Sequence, residues 1–370
     1  MSLEALQIYW WLVASVLLGL LASMFFVQGG QMQLYILGKN EEEKTLIINS
    51  LGRKWELTFT TLVVFGGVIF AAFPLFYSTS FGGAYWVWLA ILFCFIIQAV
   101  SYEFRKKPNN FLGTKTYEIF LLINGYVGVF LLGVALSTFF SGAEFELSSH
   151  NFVLWGNPLR GLEALFNPAN LLLGLALVFL SQTLGASYLL NNLSSPTITA
   201  RAKGAILLKG LLFLLFFLSF LAWIFCKEAF ILTDKGVQIQ AFGYLALFLS
   251  HPLFLLGLSL GAALVIYGIY LGGVQGKDKS IFPLFVGVFL AVFALFGNLG
   301  VNGGIFYPSL LNPSASLSIH NASSSHYTLK TMAYVSILIP FVLGYISYVW
   351  SKMDGKKLSQ EELEQQKEKY

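Results

Sequence analysis

The chain has 370 residues, 57% of them hydrophobic and 11% charged, with a mean hydropathy of +0.74 and a formal net charge of +4. Soluble domains carry roughly 25% charged residues, so this chain cannot cover a water-facing surface of its size, and a soluble fold is excluded. The basic balance, with a pI near 8.8, is read as cytoplasmic anchoring of a membrane protein rather than as a surface for nucleic acid.

Apolar runs of about 20 residues, long enough to cross the hydrocarbon core as helices, recur along the chain. In chain order they fall at 8–26, 57–77, 84–102, 117–140, 170–190, 205–226, 253–271, 281–301 and 331–350. The residues before the first run carry Glu4 and no Lys or Arg, the wrong polarity for a secretory signal, so that run reads as a mature helix. Residues 235–251 are only partly apolar and read as a short interfacial helix, with Pro252 suited to the first position of the next span. Residues 302–330, rich in Ser, Asn, Gly and Pro, read as an ordered cap or a flexible loop. The tail, 351–370, reads as a polar helix in which Ser359 would cap and Glu362 follows three residues on.

Lys and Arg placement tests this topology independently of apolar length. With the N-terminus outside, 17 basic residues fall on inner segments and 4 on outer ones, while Lys209 snorkels from the inner part of the sixth span. The expected fold is therefore an all-α integral membrane protein of about nine helices, N-out and C-in. It reads as one polytopic domain over 1–370, with four-helix blocks at 1–150 and 151–305. The outer loop and ninth helix follow at 306–350, and a cytoplasmic tail at 351–370. GVFLLGVALSTF from Gly128 and GVFLAVFALFGN from Gly287 fall on the fourth and eighth spans and suggest a parallel repeat, although two apolar helices can agree by chance.

Candidate chemistry is sparse. His150, His320 and His326 lie in outer loops and His251 at a helix start, so no pair is placed to ligate a haem across the bilayer core, and CxxCH is absent. The chain is expected to ligate no haem or metal. Cys94 and Cys226 sit in apolar runs and read as small buried residues. Glu56 follows Trp55 at the inner end of the second span. It reads either as a proton-path carboxylate or as an interfacial acid at a helix N-terminus. Gln28 and Gln31 share a face of the first helix, suited to helix packing or to a channel lining, but amides cannot titrate. Glu103 and Arg105 read as interfacial anchors. Gln98, Asn124, Gln182 and Asn298 read as isolated helix-to-helix hydrogen-bonding groups.

Several strings resemble one family, subunit II of cytochrome bd-type quinol oxidases. IYWWLVASVLLG resembles its first helix, and IINSLGRKWE with GGVIFAAFPLFYSTSFGGAYW resembles its second helix and the turn into the third. VSYEFRKK resembles the exit from helix three, and NPSASLSIHNASSSHYTLKTM with IPFVLGY resembles the last outer loop and final helix. The resemblance implies nine helices and a heterodimer with subunit I, which would carry haem b and haem d. It also implies quinol oxidation coupled to reduction of oxygen to water, in a bacterial cytoplasmic membrane. Protons would come from the cytoplasm along a path that includes the acid after the family's tryptophan, here Glu56 after Trp55. A bound quinone and a small accessory subunit are further expectations of the same kind. The chain departs from well-known members at Gln28 and Gln31, where they carry acids, and at Leu57-Thr58-Phe59, which replaces their Asn-rich turn.

The alternative is a secondary transporter built on the four-plus-four repeat. It would need a coupling carboxylate near mid-membrane, and the sequence offers none there.

Overall fold

A computed structural model describes residues 1–233, 236–301, 303–353 and 355–359. Among the described residues, nine helices are long and apolar enough to span a membrane: Leu3–Met32, Glu41–Ala72, Tyr85–Phe104, Thr114–Ser141, Pro168–Asn192, Pro196–Cys226, Pro252–Val274, Asp278–Gly300 and His326–Met353. They are called spans one to nine below. The fold is an all-α integral membrane protein.

The spans outrun their apolar windows because helices continue past the hydrocarbon into polar caps. Asn40 accepts a hydrogen bond from the Glu43 N–H, and Glu41, Glu42 and Glu43 occupy the first turn, where the helix dipole favours negative charge. That lead-in, Glu41–Gly52, is offset at Arg53 and Lys54 from the apolar stretch Trp55–Ala72. Span two ends at Phe73 because Pro74 supplies no N–H; a short turn, Pro74–Tyr77, and a π-turn, Ser78–Gly83, then carry the chain into span three. Phe73 and Phe76 pack edge-on against Phe306, and Phe76 also against Phe139 and Tyr307. The FAAFPLFY string thus builds an aromatic core beneath the outer cap.

Spans one and five cross at backbone contact. A Cβ on Gly29 would overlap the Ser181 carbonyl, and one on Gly185 would overlap the Gly30 nitrogen. Such small-residue crossings drive association in lipid, where apolar burial between helices gains little.

The segments assigned to the inner side are joined to one another by ion pairs. Arg201 meets Glu43 at 2.6 Å, Lys44 meets Glu118 at 3.5 Å, Arg105 meets Glu118 at 2.5 Å, and Lys357 of the tail meets Asp278 at 3.0 Å. Chain segments after spans one, three, five, seven and nine therefore gather at one end, as an alternating topology requires. At the opposite end Phe145–Leu147 pairs with Val153–Trp155, and Ile305–Tyr307 with Leu317–Ser318. The outer segment before span nine is thus an ordered cap.

One expectation needs correction. The stretch read as one interfacial helix at 235–251 is divided: Gly236–Gln240 pairs with Ala229–Thr233, and only Gly243–Ser250 is helical. Alternation of Val237 and Ile239 with polar neighbours suits a strand pleat better than a helix face. Lys235 lies outside the described residues. The tail helix expected beyond a Ser359 cap lies outside the described residues; ahead of it the helix of span nine ends at Met353, and Leu358 pairs with Asn192 and Ser194 in extended form. Glu362 lies outside the described residues.

Candidate functional site

Polar groups in the inner half of the molecule converge on the seam between spans one, three and four. At its inner end lies a buried ionic cluster. Arg105 donates from Nε (3.1 Å) and Nη2 (2.5 Å) to Oε1 of Glu118, whose Oε2 accepts from the Tyr35 hydroxyl at 2.6 Å. Lys44 stands 3.5 Å from the same carboxylate and 2.9 Å from Glu41. Burial, reinforced by the hydrogen bond to Glu118, holds the Tyr35 hydroxyl well above the usual phenol range, so it remains a donor.

Arg105 therefore is not the interfacial anchor expected from its position. Its side chain is fully enclosed, while Glu103 is exposed. Sequence reading weighed Arg105 against Glu103, two residues away, where helix geometry separates the side chains. It missed Glu118, across the loop. The available signal was the placement of Glu118 beside Tyr117 and three residues before Leu121, on the face that span four buries. Lys54 is also buried: its Nζ donates to the Tyr188 hydroxyl at 2.7 Å and lies over the rings of Tyr188 and Trp350. It ties span two to spans five and nine.

Outward from the ionic cluster the seam is lined by amides. Gln31 donates from Nε2 to the Tyr102 hydroxyl at 3.1 Å, and Trp55 stacks on the Tyr102 ring at 5.7 Å with 13° between planes. One turn on, Gln28 is fully buried with neither amide atom paired to protein; the same holds for Gln98 on span three and Asn124 on span four. Asn124 opens a π-turn, Asn124–Gly128, wedged between the other two spans: a Cβ on Gly125 would lie 3.0 Å from the Gln28 carbonyl, and one on Gly128 3.1 Å from Cys94 Cβ. π-turns of this kind concentrate at functional sites because they re-aim side chains. Gln182, on span five, donates to the sulfur of Met32, which packs against Gly125, and Asn298 is buried on span eight.

Of the four sequence candidates, Trp55, Gln31 and Gln28 are thus brought together. Glu56 is not inside the seam. It is exposed in the first turn after Trp55, on the surface of span two.

The histidines lie at the outer end, far from this seam in chain position and in partners. His251 Nδ1 contacts the Leu247 carbonyl, His320 contacts Gln7, His326 contacts the Met1 carbonyl, and His150 lies in the exposed tip of a hairpin. No two face each other, so these residues do not fit an axial ligand pair. Cys94 is buried and Cys226 exposed. A cavity of about 130 Å³ among Leu177, Phe213, Val265, Val288 and Phe296 is bounded by apolar side chains alone. It can accept an isoprenoid or acyl chain but supplies no side-chain donor to a quinone carbonyl.

Nine spans among the described residues, an ordered outer cap and a buried polar seam leading from the basic inner face define a polytopic membrane protein whose seam, outward of the Arg105–Glu118 pair, is lined by amides without a carboxylate. Comparison with known proteins makes the assignment specific. The profile of the family described as cytochrome bd terminal oxidase subunit II matches residues 6–353. The chain is 26% identical to the cytochrome bd-I ubiquinol oxidase subunit 2 of Escherichia coli K12, over 98% of this chain and 97% of that one. It is 26% identical to the cytochrome bd ubiquinol oxidase subunit 2 of Bacillus subtilis 168, over 94% and 95%. A solved chain of the bd oxidase from Geobacillus thermodenitrificans superimposes with a TM-score of 0.61 at 15% identity, over 93% and 96%, which speaks for the fold. The chain belongs to the cytochrome bd terminal oxidase subunit II family, whose members are subunits of an oxidoreductase complex.

Proposed function

We propose that this chain is the non-haem-ligating subunit of a bacterial cytoplasmic-membrane quinol oxidase, and that it packs against and stabilises a haem-bearing subunit I. In this reading it also admits protons from the inner side along the seam of spans one, three and four. The observation that carries the proton role is the row of buried amides at Gln31, Gln28, Gln98 and Asn124, seven of whose atoms, the Gln31 Oε1 and both amide atoms of Gln28, Gln98 and Asn124, have no protein partner. Leaving a buried polar atom unpaired costs about 1–3 kcal/mol. Seven such atoms left dry would cost about 7–21 kcal/mol, comparable to the whole stability of a domain, about 5–15 kcal/mol. Water bridging between them relieves that cost, and a hydrogen-bonded water file is what proton transfer requires.

Amides cannot take up a proton, so they act as posts that orient water rather than as relay stations. Glu56, at the inner edge beside Trp55, is a separate proton collector that stands outside this seam. Being exposed on span two, it would pass protons to bulk water or to the partner subunit and not directly to Gln31. Family members of known character place acids where Gln28 and Gln31 stand, and this chain substitutes neutral groups of similar shape. Oxygen access and a bound quinone tail in the apolar cavity are compatible with the same assembly. The transporter alternative finds no support in this seam, which holds no carboxylate outward of the Arg105–Glu118 pair.

The test is oxygen consumption by the purified complex. Gln28→Leu with Gln98→Leu should lower turnover at least tenfold with the haem spectrum intact, and Glu56→Gln should shift the pH dependence of turnover. Unchanged rates in both variants from pH 6 to 9 would remove the proton role.

A further inference from the structure

The outer end of the molecule holds a second cavity, of about 410 Å³, enclosed by the turn into span three, the outer ends of spans four and five, and the last outer loop. That volume lies within the range of small-ligand sites, about 300–1,000 Å³. Its chemistry is acidic and aromatic. Glu144 and Glu163 line it together with Trp88, Trp155 and Tyr307. Glu163 is held in place by donors from the Trp155 indole at 2.8 Å and the Gly161 N–H at 2.7 Å, and Glu144 by the Asn157 amide at 3.2 Å. These are neutral donors. Among the described residues neither carboxylate forms an ion pair, and Arg160, three residues from Glu163, is turned onto the Tyr85 ring.

A separate observation points to a ligand. Asn170 is 1% exposed and lines the cavity; its Nδ2 donates to the Ala164 carbonyl at 3.0 Å, but its Oδ1 has no partner. A buried, unpaired acceptor beside two uncompensated carboxylates calls for a donor carrying positive charge. The aromatic walls favour an organic cation over a hydrated metal ion, because ring faces attract ammonium groups. Burial, with a smaller contribution from Glu163, pushes the Tyr307 hydroxyl up to about 12, so it remains protonated beside the site.

We infer that this outer cavity binds a primary ammonium group, through Glu144, Glu163 and the Asn170 Oδ1, against the walls of Trp88 and Trp155. The group can be the headgroup amine of a lipid or a free soluble amine. Exposed Phe166 at the rim, and Tyr85 and Trp86 beside it on span three, place the site at interfacial depth, where headgroups lie.

The experiment is native mass spectrometry of the intact complex, delipidated and then incubated with phosphatidylethanolamine or phosphatidylglycerol. Wild-type complex should retain one phosphatidylethanolamine with at least tenfold preference, and Glu144→Gln/Glu163→Gln should reduce that preference below twofold while oxygen consumption is unchanged. Should the double variant fail to assemble, Glu144→Gln alone shifts the preference in the same direction, since among the described residues its only side-chain partner is the amide of Asn157. Displacement of the bound lipid by millimolar ethanolamine would assign the site to free amines as well, and resistance to displacement would assign it to the lipid. Equal retention of the two lipids by wild type, or an unchanged preference in the variants, would overturn the inference.

Discussion

The pair between Arg105 and Glu118 offers the sharpest stability test of the inner cluster. Four charges lie within ion-pair reach there, Glu41, Lys44, Arg105 and Glu118, and they sum to zero. Removing Arg105 alone as Arg105→Met leaves Glu118, 2% exposed, facing only Lys44 and Tyr35, with one uncompensated negative charge. Breaking a buried pair in this way costs about 3–5 kcal/mol. Glu118→Met should cost a similar amount, because it strands the enclosed guanidinium. The double variant restores neutrality and replaces two desolvated charges by apolar groups, so it should lie within about 2 kcal/mol of wild type. Thermal unfolding of the complex in nanodiscs, followed by tryptophan fluorescence, measures all three. A coupling energy of at least about 3 kcal/mol is expected from the cycle. Additive losses, with coupling below about 0.5 kcal/mol, would refute the buried-pair account and return Arg105 to the membrane surface.

Three further outcomes follow from packing and titration. Gly29→Leu forces span one away from the Ser181 carbonyl and should abolish assembled complex in membranes; yields equal to wild type would contradict the backbone contact. Lys227 donates to the Phe140 and Ser141 carbonyls at 2.7 and 3.2 Å, and burial, partly offset by Glu228, lowers its pKa to about 8. Between about 8 and its ordinary value of 10.5 the unfolded chain holds a proton that the folded chain lacks, so stability should rise with pH across that window and be flat below it. The rise should be on the order of 3 kcal/mol, and absent in Lys227→Met; equal pH profiles for the two proteins would contradict it. Lys54→Met removes the donor to Tyr188 and the ring contacts to Tyr188 and Trp350, and should loosen span nine by about 1–2 kcal/mol. Faster proteolysis after span nine in that variant is the readout, and an unchanged cleavage rate would count against it.

The nine spans were legible because apolar length and basic-residue placement are independent signals that agree, and the ion pairs among inner segments now give the same topology from geometry. The amides at Gln28 and Gln31 were visible as a helix face, but the seam was not, because Gln98, Asn124 and Tyr102 come from other helices and meet them only through tertiary packing. The π-turn at Asn124–Gly128, which wedges Asn124 into that seam, has no simple residue signature beyond its two glycines. Arg105 was misread for a related reason: short-range periodicity identifies partners within one helix and is silent on a partner across a loop. Likewise the strand at Gly236–Gln240 was hidden by weak apolarity, since its register is set by Ala229–Thr233 alone. The resemblance to the oxidase family supplied what these residues could not, the expectation of a haem-bearing partner.

In the proposed assembly this chain is half of a haem-containing quinol oxidase and ligates no haem itself. Purification of the tagged chain in mild detergent from its native membranes is the direct test. It should recover an equimolar partner of similar size, haem absorbance that partitions entirely with that partner on dissociation, and quinol-driven oxygen consumption only in the assembled pair. A colourless preparation lacking any such partner, from membranes whose quinol oxidase activity is undiminished by its removal, would contradict it.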